Sequence, residues 1–239
     1  MTAKLGVPVN TGDGETADQF GRSVATDGTR LVVGARGGPG AAYVFLRVGT
    51  EWVFEAKLTA PDGQNGDWFG EAVAIDGPLL VVGAEGAPVA GRTNMGAAYL
   101  FERVNGVWSL AQKLVPANGR LGDYFGASVA IQGERLLVGA SAANDFIPHT
   151  GSPGYACLYE RTGGSWTEQA RLADPQGLGN DNFGNSVALE GDRAFVGKPT
   201  NGNGEVLIFR QAGPAWILEA RLAGKSAGDR FGHSVGVDG

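Results

Sequence analysis

Asp67-Trp68-Phe69-Gly70-Glu71-Ala72-Val73-Ala74-Ile75-Asp76-Gly77 decides the fold, because the chain writes it five times. DWFGEAVAIDG at 67–77 is preceded by DQFGRSVATDG at 18–28 and followed by DYFGASVAIQG, DNFGNSVALEG and DRFGHSVGVDG at 123–133, 181–191 and 229–239. The Phe-Gly pairs begin at Phe20, Phe69, Phe125, Phe183 and Phe231, at intervals of 49, 56, 58 and 48 residues. Three more lines of text follow each of the first four copies. The second is RLVVGA, LLVVGA, RLLVGA and RAFVGK; the third is GAAYVFLR, GAAYLFER, GYACLYER and GEVLIFRQ. The fourth is WVFEAKL, WSLAQKL, WTEQARL and WILEARL. A fixed period of this length is the mark of a repeat architecture, which must be recognised before any local reading.

Each line is short, rich in Val, Leu, Ile, Phe and Tyr, and bounded by Gly, Asp or Asn, which is the pattern of a strand. No segment holds a 3.6-residue apolar period over three turns. Asp27-Gly28, Asp76-Gly77 and Glu190-Gly191 join lines one and two, and such pairs predict two-residue hairpin turns with positive φ. The third and fourth lines are joined by short Gly-bearing links as well. Each repeat is therefore expected to be a four-stranded antiparallel meander, with strands A to D in chain order. A lone meander cannot bury both faces, so the units must stack. Radial stacking of four-stranded units gives an all-β propeller, with blades at about 18–66, 67–122, 123–180 and 181–228 and a partial unit at 229–239, all in one domain over 1–239. A linear β-solenoid is the alternative, but its repeats are shorter. Residues 3–7 match strand D and are expected to serve as a closing outer strand. The ring would be five-bladed or an arc of a larger one, and bare strand edges would favour self-association.

Composition narrows the function. The chain has 239 residues, with 41 Gly, 11 Pro, one Cys and a formal net charge of −6. An acidic chain with 18% charged residues lacks the basic face of a nucleic-acid binder. No apolar run is long enough for a membrane span, and no signal peptide is visible in MTAKLGVPVNTGDG. The lone Cys157 permits no disulfide within the chain, and its place in strand C marks it as a strand residue. Most of the glycines stand after the Phe of strand A, in turns, or at strand ends, where a side chain would obstruct.

The Phe-Gly of strand A and the Val-Gly-Ala that closes strand B resemble the FG-GAP repeat, in the bacterial form with its Trp-x-x-x-x-Lys/Arg-Leu fourth strand. That resemblance implies the propeller found in integrin α subunits and in many bacterial extracellular proteins. It also implies a non-enzymatic binding or adhesion module, extracellular or on the cell surface, whose partner is a protein or a glycan. Integrin-like repeats carry Asp-rich calcium loops between strands A and B. Here those links are TDGTR, IDGPL, IQGER and EGDR, too short and too poor in carboxylates to supply the six to eight oxygens that Ca²⁺ takes. No cofactor is therefore expected, and calcium is not carried over.

The rim bearing the B–C and D–A links is the expected binding face, because its loops vary in length while the opposite rim is uniform. Its candidate ligand-binding residues are Arg92 and Asn94 in the link 85–96, and Asn144, Asp145, Phe146 and His149 in the link 141–154. Trp68 and Tyr124, each just before a Phe-Gly, are expected to be exposed aromatics that suit a sugar ring, which makes a lectin the first alternative. A structural spacer in a large surface protein is the second. Asp18, Asp67, Asp123, Asp181 and Asp229, with Phe20-Gly21, Phe69-Gly70, Phe125-Gly126, Phe183-Gly184 and Phe231-Gly232, are read as framework. The aspartates are expected to accept backbone N–H groups in the turn entering strand A. Gly232-His233-Ser234-Val235-Gly236 matches a nucleophile elbow in letters only, since Ser23, Ser128 and Ser186 hold the same repeat position. With His149 and His233 the sole histidines, catalysis near the axis is the least supported reading.

Overall fold

The structure is a computed structural model, described over residues 18–141, 153–179, 181–200 and 202–237. It is all-β, with sixteen strands among the described residues. They form four antiparallel four-stranded sheets, each in simple chain order. Blade 1 is β1 (Phe20–Thr26), β2 (Arg30–Ala35), β3 (Ala41–Val48) and β4 (Glu51–Leu58). Blade 2 is β5 (Phe69–Asp76), β6 (Leu79–Ala84), β7 (Ala97–Val104) and β8 (Val107–Leu114). Blade 3 is β9 (Phe125–Gln132), β10 (Arg135–Ala140), β11 (Tyr155–Thr162) and β12 (Ser165–Leu172). Blade 4 is β13 (Ser186–Glu190), β14 (Arg193–Lys198), β15 (Glu205–Ala212) and β16 (Ala215–Ala223). Among the described residues no helix is long and apolar enough to cross a membrane. The segment 3–7 lies outside the described residues.

The sheets pack face to face in sequence, with β1 against β5, β5 against β9 and β9 against β13. This propeller-like stacking explains the strand texts. The second strand of a blade is covered on both faces, so LLVVGA is apolar without alternation and buried throughout. Its odd residues face one neighbour and its even residues the other. Leu80 and Val82 join Val32 and Val44 of blade 1 in one core, whereas Val81 joins Phe125 and Leu136 of blade 3 in the next. The outer strand meets solvent along one side and alternates, as β12 does.

Phe-Gly is the centre of a turn that starts each blade. In every unit the residue two beyond the Phe donates its N–H to the carbonyl of the residue before it, as Glu71 N does to Trp68 O at 3.0 Å. The glycine takes φ of 84° to 96°, which is the third position of a type II turn and disfavours a side chain. The Phe fills the gap between blades: Phe69, Phe125 and Phe183 are fully buried, and Phe69 lies edge-on to Tyr99 at 5.4 Å. Backbone then meets backbone. Gly40, Gly96, Gly154 and Gly204 bridge in parallel to the Phe of the next unit. A Cβ on Gly83 would stand 1.9 Å from the Gly126 carbonyl oxygen, and one on Gly139 would stand 2.1 Å from that of Gly184.

Two details differ from the sequence reading. Only blades 2 to 4 turn from strand A to strand B in two residues, and Gly77, Gly133 and Gly191 stand first in those loops. Positive φ at that first position alone is the type II′ geometry, so the residue before it (Asp76, Gln132 or Glu190) closes the strand and is not part of the turn. Blade 1 uses a longer link, in which Asp27 Oδ1 accepts the N–H groups of Thr29 and Arg30 at 2.8 and 2.6 Å.

The serine of the elbow-like motif also has a visible task. Ser23, Ser128 and Ser186 Oγ donate to the carbonyls of Gly70, Gly184 and Gly232 in the next unit, at 2.9, 2.7 and 2.7 Å. Blade 2 has Ala72 there and lacks this bond. Ser128→Ala is expected to cost about 1–2 kcal/mol, because it leaves a buried carbonyl without that partner. Urea unfolding of the variant beside wild type measures it, and an unchanged midpoint would refute the assignment.

Candidate functional site: the rim and its axial pocket

The four B–C links are the segments 36–40, 85–96, 141–154 and 199–204 between paired strands, so they share one rim with the Phe-Gly turns. On that rim a pocket of about 360 Å³ gathers residues from all five repeat units. Arg22, Glu71, Ala127, Asn185 and His233 line it, and each is the residue just after a Phe-Gly. Glu85 and Ser141, each just after strand B of its blade, complete the wall. These are the two repeat positions that point to the common centre, and both vary between units while the text around them stays constant.

Charges in the pocket are arranged unequally. Glu71 is buried and fully engaged: Arg22 donates to Oε1 from Nε at 2.9 Å and again from Nη2, and Arg36 Nη1 donates to Oε2 at 2.7 Å. Such charge-assisted bonds stabilise a buried carboxylate strongly. Arg36 is itself held by Gln19 Oε1 at 2.7 Å and lies over the Trp68 ring at 5.5 Å. Glu85 is different. No described residue gives its carboxylate a hydrogen bond or an ion pair. Burial, followed by the Glu71 charge, lifts it to about 7 against the opposing pull of Arg36 and Arg22.

The sequence-derived candidates fall into three groups. Trp68 is half-buried beneath Arg36, on the shoulder of the pocket. Tyr124 is 3% exposed, and its hydroxyl accepts from Asn94 Nδ2 at 2.9 Å. The expectation of an exposed aromatic therefore does not hold at Tyr124, whose ring packs inward from a left-handed backbone. Arg92 is exposed, with Nη1 on the Gly119 carbonyl at 2.7 Å, so it braces the 85–96 link against the next D–A link. Asn144, Asp145, Phe146 and His149 lie outside the described residues.

The framework aspartates face their own turns. Asp67, Asp123 and Asp181 Oδ2 accept the N–H of Gln64, Arg120 and Leu178 at 2.9, 2.7 and 2.7 Å, and Asp229 Oδ2 accepts that of Ser226 at 2.8 Å. Asp123 also accepts the Tyr155 hydroxyl at 2.7 Å. Asp18 accepts the Gly37 N–H through its backbone carbonyl at 3.0 Å. Among the described residues no group of three His, Cys, Asp or Glu side chains is placed to hold a metal ion. Cys157 is buried in β11, and burial pushes its thiol up to about 12, which leaves it inert as a nucleophile.

A second pocket, of about 420 Å³, lies beside blade 4, where Lys198 replaces the alanine that closes strand B elsewhere. Lys198 Nζ is met by Asp174 Oδ2 at 2.9 Å, Glu205 Oε2 at 2.8 Å and Asp181 Oδ2 at 3.6 Å. Burial opposes ionisation of Asp174, but bonds from Arg221 and Lys198 prevail and hold it well below the usual carboxylate range. This network satisfies its own charges, so it reads as structure.

Strand texts, turn geometry and blade contacts repeat together, and a family model described as the FG-GAP repeat matches residues 10–45, 52–101, 108–156 and 166–209. The chain belongs to the FG-GAP repeat family. FG-GAP repeats are in general binding and adhesion modules, and the family is typically non-enzymatic. A search of curated proteins returns no match. In FG-GAP terms the letters of the repeat are its framework, and the residues beside them carry what is particular to this protein. Sequence reading missed the axial pocket because its wall is built from single positions some 50 residues apart. The available signal was the alternation of Arg, Glu, Ala, Asn and His directly after an otherwise constant Phe-Gly.

Proposed function

We propose that this FG-GAP chain is a non-enzymatic binding and adhesion module of a secreted or cell-surface protein. It engages a protein or glycan partner with the rim that carries the B–C links. The observation that supports this is the division of the repeat into constant and variable positions. Backbone contacts and Phe-Gly turns recur from blade to blade, whereas link length and the residues around the pocket mouth do not. The compartment is supported by the family resemblance alone. A carbohydrate ligand would stack on Trp68 and not on Tyr124.

Immobilised glycans and a panel of extracellular proteins, probed with the chain, test the proposal. Trp68→Ala and Arg92→Ala are expected to weaken capture of a true ligand by tenfold or more, as truncation of central contact residues does. Glu134→Ala, in the β9–β10 turn of the opposite rim, is expected to leave capture unchanged. Capture that responds to Glu134 and not to the rim residues, or no capture at all, would overturn the rim as the binding face.

A further inference from the structure

We propose that the axial pocket is a binding site for a small ligand carrying a primary ammonium group, with the Glu85 carboxylate as its counter-charge. The proposal deepens the rim reading and rests on it for the end of the molecule from which the ligand enters. Three observations on the pocket wall carry it. The first is the unequal pairing of the two carboxylates. Glu71 spends both oxygens on Arg22 and Arg36, so the two guanidinium groups and one carboxylate form a closed knot. Glu85, half-buried on the pocket wall, remains without a partner among the described residues, and its carboxylate gives up part of its hydration with no bond in return. A cation that enters the pocket removes that cost.

The second observation is the kind of atom left over. Ser141 is buried on the pocket wall, and its hydroxyl oxygen has lone pairs to accept with. Asn185 gives Nδ2 to the His233 carbonyl at 2.9 Å, which leaves Oδ1 as an acceptor. Hydroxyl, amide oxygen and carboxylate come from three different blades, and an ammonium group has three donors to distribute among such separate acceptors. An anion would find the opposite: both arginines are already committed to Glu71, and Glu85 would repel it. The third observation is size. About 360 Å³ accommodates an aminoalkyl group, and Ala127 places an apolar side chain on the wall.

The groups that face Glu85 are Glu71, Arg22, Arg36 and Tyr124, with His233 on the far wall. Because the ammonium group prefers the ionised carboxylate, affinity must rise with pH. Titration calorimetry of the chain with ethylammonium chloride and with 1,4-diaminobutane at pH 6 and pH 8 measures it. Both amines are expected to bind one per chain, about tenfold tighter at pH 8, as follows from a group half-ionised near pH 7. Glu85→Gln, which keeps the shape, is expected to lose at least tenfold in affinity at pH 8. Glu134→Ala, on the opposite rim, is expected to keep both the affinity and its pH dependence. No amine binding at pH 8, equal binding by a folded Glu85→Gln, or acetate binding that tightens as pH falls would each overturn the proposal. Capture by Trp68→Ala decides the rim reading separately, since Trp68 does not line the pocket.

Discussion

Gly126→Ala is expected to destabilise the protein by about 3–5 kcal/mol, from a left-handed backbone and a collision with packed main chain together. Gly126 has φ of 94°, and a Cβ there would lie 2.3 Å from the Ala97 carbonyl oxygen. That oxygen cannot retreat, because β7 is pinned between β6 and β8. Gly126 cannot retreat either. Its own carbonyl abuts Gly83, and Phe125 beside it donates its N–H to Met95 O at 3.1 Å. The change therefore strikes the contact between blades 2 and 3, where stability of a stacked repeat depends on the neighbour. Gly133→Ala is the control, with φ of 56° and nothing within 4 Å of the added carbon. Its expected cost is about 1 kcal/mol, from the backbone alone. Urea unfolding of the two variants separates the effects, and equal midpoints would show that the close approach of blades contributes nothing.

That contrast marks what the letters of the chain could show. Phe69-Gly70 and its four copies reveal the period, the strands and the blades, because each blade imposes the same burial on the same positions. The left-handed residue before each pair was not legible. Gln19, Trp68, Tyr124, Asn182 and Arg230 all have φ between 51° and 57°, yet only Asn is a usual occupant of that region. Their diversity looked like freedom to contact a ligand. In fact the turn bond and the buried Phe fix the backbone, and the side chain is chosen by what lies beside it. Tyr124 turns inward to Asn94, and Trp68 lies under Arg36. Strain of this kind, repeated in every unit, belongs to the frame.

The pocket was illegible for a different reason. Glu71 and Glu85 are fourteen residues apart on either side of a hairpin, and the partners of Glu71 lie in another blade. Only stacking shows that Arg22 and Arg36 both turn to Glu71 and none to Glu85. A conserved-looking frame thus hides a local asymmetry, and blade 2 alone places acidic residues at both inward positions. The charges of that blade, and not its Phe-Gly, distinguish this protein from a uniform ring of the same repeat.

The asymmetry has a measurable consequence for stability. Glu85 keeps its proton in the folded protein up to about pH 7, against an ordinary value of 4.5. Between those values the folded chain holds more protons than the unfolded chain, so stability falls as pH rises and levels off above pH 7. The full fall is about 3 kcal/mol, less whatever the water of the pocket recovers by solvating the charge. Glu85→Gln carries no charge at any pH and is expected to abolish the fall. The variant should match wild type near pH 4 and exceed it at pH 8 by up to about 3 kcal/mol. Asp174 works in the opposite sense and in a different window: its contribution is present at neutral pH and is lost only as pH drops below the usual carboxylate range. Denaturant midpoints at pH 5, 6, 7 and 8 therefore isolate Glu85. A difference between variant and wild type that is constant across that range would mean that Glu85 is solvated normally. Ethylammonium chloride added at pH 8 should raise the midpoint of wild type and leave that of Glu85→Gln unchanged, because the amine stabilises only the chain that binds it.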